Sequence, residues 1–275
     1  MGSTRFVALL TDCGTRDWYV AAMKGVILSR APRARLIDIT HDVPPQDVTA
    51  GAFTLAATVP WFPQGTVFVA VVDPGVGSGR TLLAARADGR YFIGPDNGVL
   101  GLSLERARRL TIVQLTNSRY WLPAISRTFH GRDIIAPVAA YLARGGSLHR
   151  LGPPQRRPTP LTLPQVQRRG QRLHGEVVHI DTFGNLITNF QASLSRTKGR
   201  EGRFTLRYNR FDIPVVSSYA DGRPNQLIAV VGSLGLVELA VREGSAARLL
   251  NAKRGDQVDL RMAASCVDIP VPDNV

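Results

Sequence analysis

Cysteine, lysine and long apolar runs are scarce in this 275-residue chain, and each scarcity closes off a class of protein. Cys13 and Cys266 stand far apart, with no Cys-x-x-Cys or Cys/His spacing around them. That argues against a disulfide framework or a zinc site and points to a reduced, cytoplasmic setting. No apolar run approaches the roughly 18 residues a membrane span needs. The opening MGSTRFVALLTD has too short an apolar core for a signal peptide, and no small-residue cleavage site follows it. Lysine stands only at Lys24, Lys198 and Lys253, so the net charge of +13 is almost all arginine. The arginines are scattered, with doublets at Arg108-Arg109, Arg156-Arg157 and Arg168-Arg169. No RNA-binding aromatic signature, helix-turn-helix cue or zinc finger accompanies them. A solvated arginine-biased surface explains the charge better than a nucleic-acid site does. A hydrophobic content of 44% and a charged content of 20% describe an ordinary globular chain, long enough for two domains of unequal size.

What is present is ordered in two styles. In the first half, β-rich runs (Phe6–Leu10, Arg35–Ile39, Val67–Val72, Tyr91–Ile93, Thr111–Leu115) alternate with helical stretches (Trp18–Ser29, Val48–Thr58, Ile134–Ala143). That alternation predicts an α/β domain over 1–152 with a doubly wound, largely parallel sheet. Residues 153–172, rich in proline and arginine and without a helical period, read as a linker. Short strands then recur between glycine-rich turns: Gly175–Asp181, Arg203–Tyr208, Ile228–Val231, Leu236–Ala240 and Gln257–Arg261. They predict a smaller all-β domain over 173–262, an antiparallel barrel or sandwich, followed by a tail over 263–275.

Several motifs place polar residues directly after a strand, where open α/β sheets bind ligands. In LLTDCGTRDWY, Asp12 can accept from both hydroxyls of a ribose, or it can cap the following helix. In TVFVAVVDPGVGSGR, a core strand ends at Asp73-Pro74 and glycines carry the chain to Arg80. The glycine spacing fits neither a dinucleotide fingerprint nor a P-loop. Asp73 and Arg80 form either a local ion pair across a loop or a presented functional pair. RTFHGRD sets His130 beside Gly131, which permits close approach of a ligand, although a lone histidine is more often structural. In HIDTFGNLITN, Asp181, Asn185 and Asn189 crowd a strand end, which turn chemistry alone could explain.

Together the motifs TDCGTRDWYVAAMKGVI, ITHDVPPQDV, FPQGTVFVAVVDPGVGSGR, YFIGPDNGVL, FHGRD and IDTFGNLITN follow one family's order and spacing. Over roughly residues 4–262 the chain resembles the S-adenosylmethionine hydrolases, or S-adenosylmethionine hydroxide adenosyltransferases, relatives of the fluorinases and chlorinases. The resemblance implies an N-terminal α/β domain, a C-terminal β-barrel and a homotrimer with active sites between subunits. It implies S-adenosylmethionine as substrate, no cofactor and no metal, and hydrolysis to adenosine and L-methionine. Action on the abnormal sulfonium epimer is also allowed.

By the same resemblance Asp73, Arg80 and His130 are the catalytic set that prepares a water near the ribose 5′ carbon. Asp12 takes the ribose diol, Asn185 the adenine end, and Asp181 lies near the methionine end. VGSLGLVELAV supplies Ser233 and Glu238 to the methionine amino and carboxylate groups, and the Val241 backbone to adenine. Asp96 and Asn97 also match, or simply form a turn. Cys13, where an aromatic is usual, and Arg242, where a small polar residue is common, depart from the family pattern. Halogenating relatives carry an uncharged residue where Asp73 stands, and a carboxylate there would repel halide strongly at low dielectric. The readings left beside the hydrolase are a halogenase-type displacement and a non-catalytic nucleoside- or nucleic-acid-binding protein.

Overall fold

The computed structural model describes residues 6–105, 107–161, 164–170, 172–191 and 204–262. Lys198, Arg203, Cys266 and the expected tail 263–275 lie outside the described residues. The chain divides into two compact units, Met1–Thr162 and Leu163–Val275.

The first unit is built on a seven-stranded sheet of order β2-β1-β3-β5-β4-β6-β7. Its strands are β1 (Phe6–Thr11), β2 (Arg35–Thr40), β3 (Val67–Val71), β4 (Leu82–Ala87), β5 (Arg90–Pro95), β6 (Leu110–Gln114) and β7 (Pro154–Gln155). β1 pairs in parallel with β2 and β3, and β3 with β5. β4 is antiparallel to both β5 and β6, so β6 runs the same way as the parallel group and only β4 and β7 are reversed. The sheet is largely parallel, as expected, but the reversed β4 was not foreseen.

Alternation along the strands feeds two cores. Val7 and Leu9 of β1 and Val67, Val69 and Val71 of β3 face one layer, which contains α1 (Tyr19–Arg30) and α4 (Ala136–Ala143). Ala8, Leu10, Phe68 and Ala70 face the other, with α2 (Val48–Thr58) and α3 (Gly101–Glu105). Every residue of β3 is buried. Complete burial of a valine or phenylalanine side chain contributes about 1.5–3 kcal/mol of transfer free energy, which is why this strand can end in a charged loop without losing its place. Asp47 caps α2 by accepting from the Ala50 N–H at 2.9 Å.

The stretch expected as a linker is not featureless. Residues 154–155 add β7 to the sheet edge, and Asp96 accepts from Gln155 Nε2 (2.9 Å) and the Thr159 N–H (2.6 Å). Residues 167–169 form β8 (Gln167–Arg169), which pairs with β9 (Arg172–Ile180). The prolines exclude helix, and they tolerate these edge positions where one side of the strand is unpaired.

The second unit orders its strands β12-β11-β15-β9-β10-β14-β13, with β8 beside β9. The remaining strands are β10 (Leu186–Gln191), β11 (Phe204–Tyr208), β12 (Phe211–Pro214), β13 (Leu227–Val231), β14 (Leu236–Val241) and β15 (Gln257–Met262). The named strand pairings of this sheet are antiparallel, and a bridge from Val215 to Ala229 brings the two ends of the sheet together. The barrel alternative is therefore the one adopted, around Leu173, Val177, Leu206, Val237, Leu239 and Leu260. A short helix α5 (Ala246–Leu250) is capped by Ser245, whose side chain accepts from the Arg248 N–H.

Candidate active site

The N-terminal candidates gather at the carboxyl edge of the first sheet. β3 ends at Val71, and the Val72 carbonyl is held by Asn97 Nδ2 at 2.8 Å, which fixes the point where Asp73 emerges. Two successive turns then fold the loop: the Val76 N–H donates to the Asp73 carbonyl (3.2 Å) and the Ser78 N–H to that of Gly75 (3.0 Å). The reversed direction of β4 brings its first residue back to this same edge, with Arg80 just before it. Gly77 adopts φ +79°, and a Cβ there would fall 2.4 Å from the Arg127 carbonyl oxygen. Only glycine lets the loop lie against the segment that leads to His130.

The result is a linked trio. Arg80 Nε donates to Asp73 Oδ1 (2.8 Å) and Oδ2 (2.9 Å), and Arg80 Nη2 also contacts Oδ2. The side chains of Asp73 and Arg80 are 6% and 12% exposed. Charge-assisted bonds of this kind are stronger than neutral ones. Arg80 Nη2 lies 3.0 Å from His130 Nδ1. A guanidinium can only donate, so Nδ1 accepts and a neutral His130 carries its proton on Nε2. Burial, and then the positive charge of Arg80, push the His130 pKa down, so the neutral form prevails near neutrality.

A π-helical turn, Gly131–Ile135, follows His130 directly. Within it Asp133 is fully buried and accepts from Ser126 N (2.7 Å) and Arg132 Nε (2.6 Å), fastening the loop that carries His130. An aromatic run adjoins it: Trp18 stacks on Tyr19 (5.1 Å), and Tyr19 meets Phe129 edge-on (5.1 Å).

Asp12 follows β1, but α1 begins only at Tyr19, so the helix-cap reading does not hold. Its Oδ2 instead accepts from the Gln46 N–H at 2.7 Å. Gln46 takes φ 66° to make that contact; the Pro44-Pro45 pair before it was the available sign of a constrained turn. Cys13, beside it, has its thiol pKa raised by burial and by the Asp12 charge. Asp96 and Asn97 are absorbed by structure, Asp96 holding residues 155 and 159 and Asn97 the end of β3.

The second unit carries the other candidates. The β9–β10 turn is closed by Asp181, which accepts from the Asn185 N–H (2.8 Å) and Asn185 Nδ2 (2.9 Å). Between them Phe183 is 78% exposed, an apolar ring offered to solvent that sequence reasoning passed over. Asn189 points elsewhere, bonding Glu176 N and the Pro164 carbonyl. On β14 Glu238 is buried and lies over Gly232, where a Cβ would fall 1.6 Å from its Oε1. Tyr219 donates its hydroxyl to Glu238 Oε2 at 2.9 Å, a partner that the sequence did not reveal. Burial and the nearby Asp181 charge raise the Glu238 pKa against the opposing effect of that hydrogen bond. Val241 is buried at the end of β14, and Ser233 is exposed in the β13–β14 turn. Among the described residues no group of three or more His, Cys, Asp or Glu could hold a metal ion. No described helix is long and apolar enough to cross a membrane.

Comparison with known proteins decides the lineage. Residues 7–152 match the N-terminal domain of the SAM hydroxide adenosyltransferases, and residues 175–259 match the C-terminal domain. The chain belongs to the SAM hydroxide adenosyltransferase family. It is 42% identical to the (R)-S-adenosyl-L-methionine hydrolase of Salinispora arenicola over 270 residues, 94% of this chain and 98% of that one. The hydrolase of the same name from Thermus thermophilus is 38% identical, with 93% and 99% covered. A fluorinase from Actinoplanes is 28% identical, with 94% and 97% covered, so the family reaches into the halogenating enzymes. The solved structure of an uncharacterized conserved protein from Thermotoga maritima superimposes with a TM-score of 0.85 at 34% identity, covering 93% of this chain and 99% of that one.

Proposed function

We propose that this protein hydrolyses S-adenosyl-L-methionine to adenosine and L-methionine, by attack of water on the ribose 5′ carbon. The observation that carries the reading is the linked trio of Asp73, Arg80 and His130 at a strand edge of a family whose relatives are named (R)-S-adenosyl-L-methionine hydrolases. The water oxygen forms the new bond to the 5′ carbon as the carbon–sulfur bond breaks. That bonding pair stays on sulfur, giving the neutral thioether of methionine, and the water's proton leaves. Sulfonium is an excellent leaving group, so the site needs chiefly to supply nucleophilicity and alignment. Arg80 favours hydroxide character at the attacking oxygen. Asp73 holds the guanidinium and is the proton acceptor of the set, because the His130 Nδ1 lone pair is already taken by Arg80. His130 orients the water through its Nε2–H. A proton acceptor beside the nucleophile serves an attacking water and does nothing for a halide, which supports hydrolase over halogenase.

In this reading Asp12 accepts from the ribose diol, Asn185 and the Val241 backbone meet adenine, and the exposed Phe183 ring supplies a face for the base. Asp181, Ser233 and Glu238 hold the methionine amino and carboxylate groups. The enzyme works without metal or cofactor, on the sulfonium epimer named by its relatives, in the cytoplasm, as a homotrimer with inter-subunit sites. Light scattering that finds a fully active monomer would refute the last point. The deciding experiment incubates the protein with each epimer in ¹⁸O-water and excess chelator, then identifies products by mass spectrometry. The expected result is label on the adenosine 5′ oxygen and preference for the R epimer. Adenosine without label would rule out direct displacement.

A further inference from the structure

A second set of titratable groups lies behind the Asp12 loop, and the proposed chemistry does not use it. His41 follows β2, and its side chain is only 1% exposed. Its Nδ1 lies 2.9 Å from the hydroxyl of Thr11, a fully buried residue at the end of β1. Its Nε2 lies 3.0 Å from Asp38 Oδ1, and Asp38 Oδ2 accepts from Lys24 Nζ at 2.6 Å. The Nε2–Asp38 contact is at ion-pair distance and is not an aligned hydrogen bond, so Nε2 has no hydrogen-bond partner among the described residues. A proton on Nε2 faces the carboxylate favourably, and Nδ1 then accepts from the Thr11 hydroxyl. The Thr11 oxygen remains an acceptor and takes the Cys13 N–H at 3.3 Å. The Gly14 N–H donates to the carbonyl of His41 itself at 2.7 Å. Thr11, just before Asp12, is thus tied to the buried imidazole, Cys13 just after it to the Thr11 hydroxyl, and Gly14 to the backbone of residue 41.

We propose that His41 is a positioning residue for Asp12, setting the carboxylate that recognises the ribose 2′,3′-diol through its hydrogen bond to the Thr11 hydroxyl. The inference rests on the assignment of Asp12 to the diol. Buried polar side chains could have been replaced by apolar ones of similar volume with little loss of stability, since their hydrogen bonds only repay desolvation. What an apolar residue could not do is fix the direction of the Thr11 hydroxyl and so the path of Asp12-Cys13. The Asp12 carboxylate is steadied from its other side by the Gln46 N–H, which leaves lone pairs on both of its oxygens for a diol.

The test compares adenosine with 2′-deoxyadenosine by calorimetry, because their affinity ratio reports diol recognition and is insensitive to a general loosening of the fold. His41→Ala should shrink that ratio about tenfold, the worth of one well-placed hydrogen bond to a charged group. His41→Asn, whose amide occupies the Nδ1 position, should restore most of it. Thr11→Val removes the hydroxyl at constant shape and should act like His41→Ala, which keeps the proposal testable if the alanine variant does not fold. On an Asp12→Ala background, His41→Ala should change the ratio less than twofold. If Asp12→Ala shrinks the ratio while His41→Ala and Thr11→Val preserve it, the positioning role is wrong and the diol assignment stands. If Asp12→Ala itself preserves the ratio, the diol assignment falls and the positioning role with it.

Discussion

The two groups of candidate site residues, one in each unit, are opposites in charge balance. At the sheet edge of the first unit, Asp73 and Arg80 neutralise each other and His130 completes the set as a neutral acceptor. Each member has a partner of complementary character before any ligand arrives. On the barrel, Glu238 and Asp181 bring like charges near one another, relieved among the described residues by the neutral donors Tyr219, Asn185 and the Asn185 backbone. The first arrangement is rigid and preorganised, which suits a place where a transition state must be met without rearrangement. The second holds its charges at a cost that a cationic ligand would relieve, which suits ground-state binding of an ammonium group. The proposed division between chemistry and affinity therefore corresponds to different strands and different electrostatics.

The strongest way to break this contrast is to delete the balanced trio. Asp73→Ala, Arg80→Ala and His130→Ala should each lower single-turnover rates by about 10²- to 10⁴-fold while calorimetric affinity for S-adenosylmethionine changes little. Double variants should lose little more, because groups that act as one unit are not additive. Near-normal turnover in Asp73→Ala and Arg80→Ala would reduce the loop to a salt-bridged turn.

A smaller and opposite effect is expected on the barrel. Glu238→Gln should weaken S-adenosylmethionine binding about tenfold, within the range for a hydrogen bond to a charged group, and leave the saturated rate within twofold. A loss in rate alone would erase the distinction between the units.

The gentlest probe is pH. His130 has a depressed pKa, so its neutral form, and the rate at saturation, should persist below the ordinary histidine value near 6.5. The same depression means that the unfolded chain binds more protons between the two values. Its contribution to folding stability is complete above the unfolded pKa and is lost as pH falls through the folded one. Glu238 has a raised pKa, so its ionised form, and affinity for the ammonium group, should decline already above the usual carboxylate range. A rate limb at or above 6.5 in a single-turnover pH series would contradict the neutral, Arg80-bonded His130.

Much of this was legible in the sequence, but unevenly. The central strands β1 and β3 announced themselves because strands buried on both faces must be continuously apolar, as Val67–Val71 is. β4 was overlooked because LLAARA is alanine-rich and carries Arg86. The sign was nevertheless there in Asp88-Gly89, whose φ values of 44° and 85° form the two-residue hairpin turn that joins β4 to β5. β10 was hidden inside a stretch read for its polar residues, and β12 is short. Among site residues, Asp73, Arg80 and His130 were visible as motif members, whereas Tyr219, Gln46 and Thr11 were not. Tyr219 reaches Glu238 from a separate segment, and Gln46 contributes only backbone, which no side-chain pattern encodes.

The reversed strand β4 also bears on how such a site can be inherited. In a strictly parallel sheet each strand delivers one short polar segment to the ligand edge before the chain departs into a crossover of a dozen or more residues. A strand that starts at that edge lets the same short loop be read twice, once as it leaves β3 and again as it enters β4. Asp73 and Arg80 are consequently neighbours in the gene as well as in space, and a small recombined or transplanted segment would carry both. His130 arrives from a segment 50 residues beyond Arg80 and must be matched to the pair separately. A change to the loop therefore moves the carboxylate and the guanidinium together, while the histidine can be altered without either.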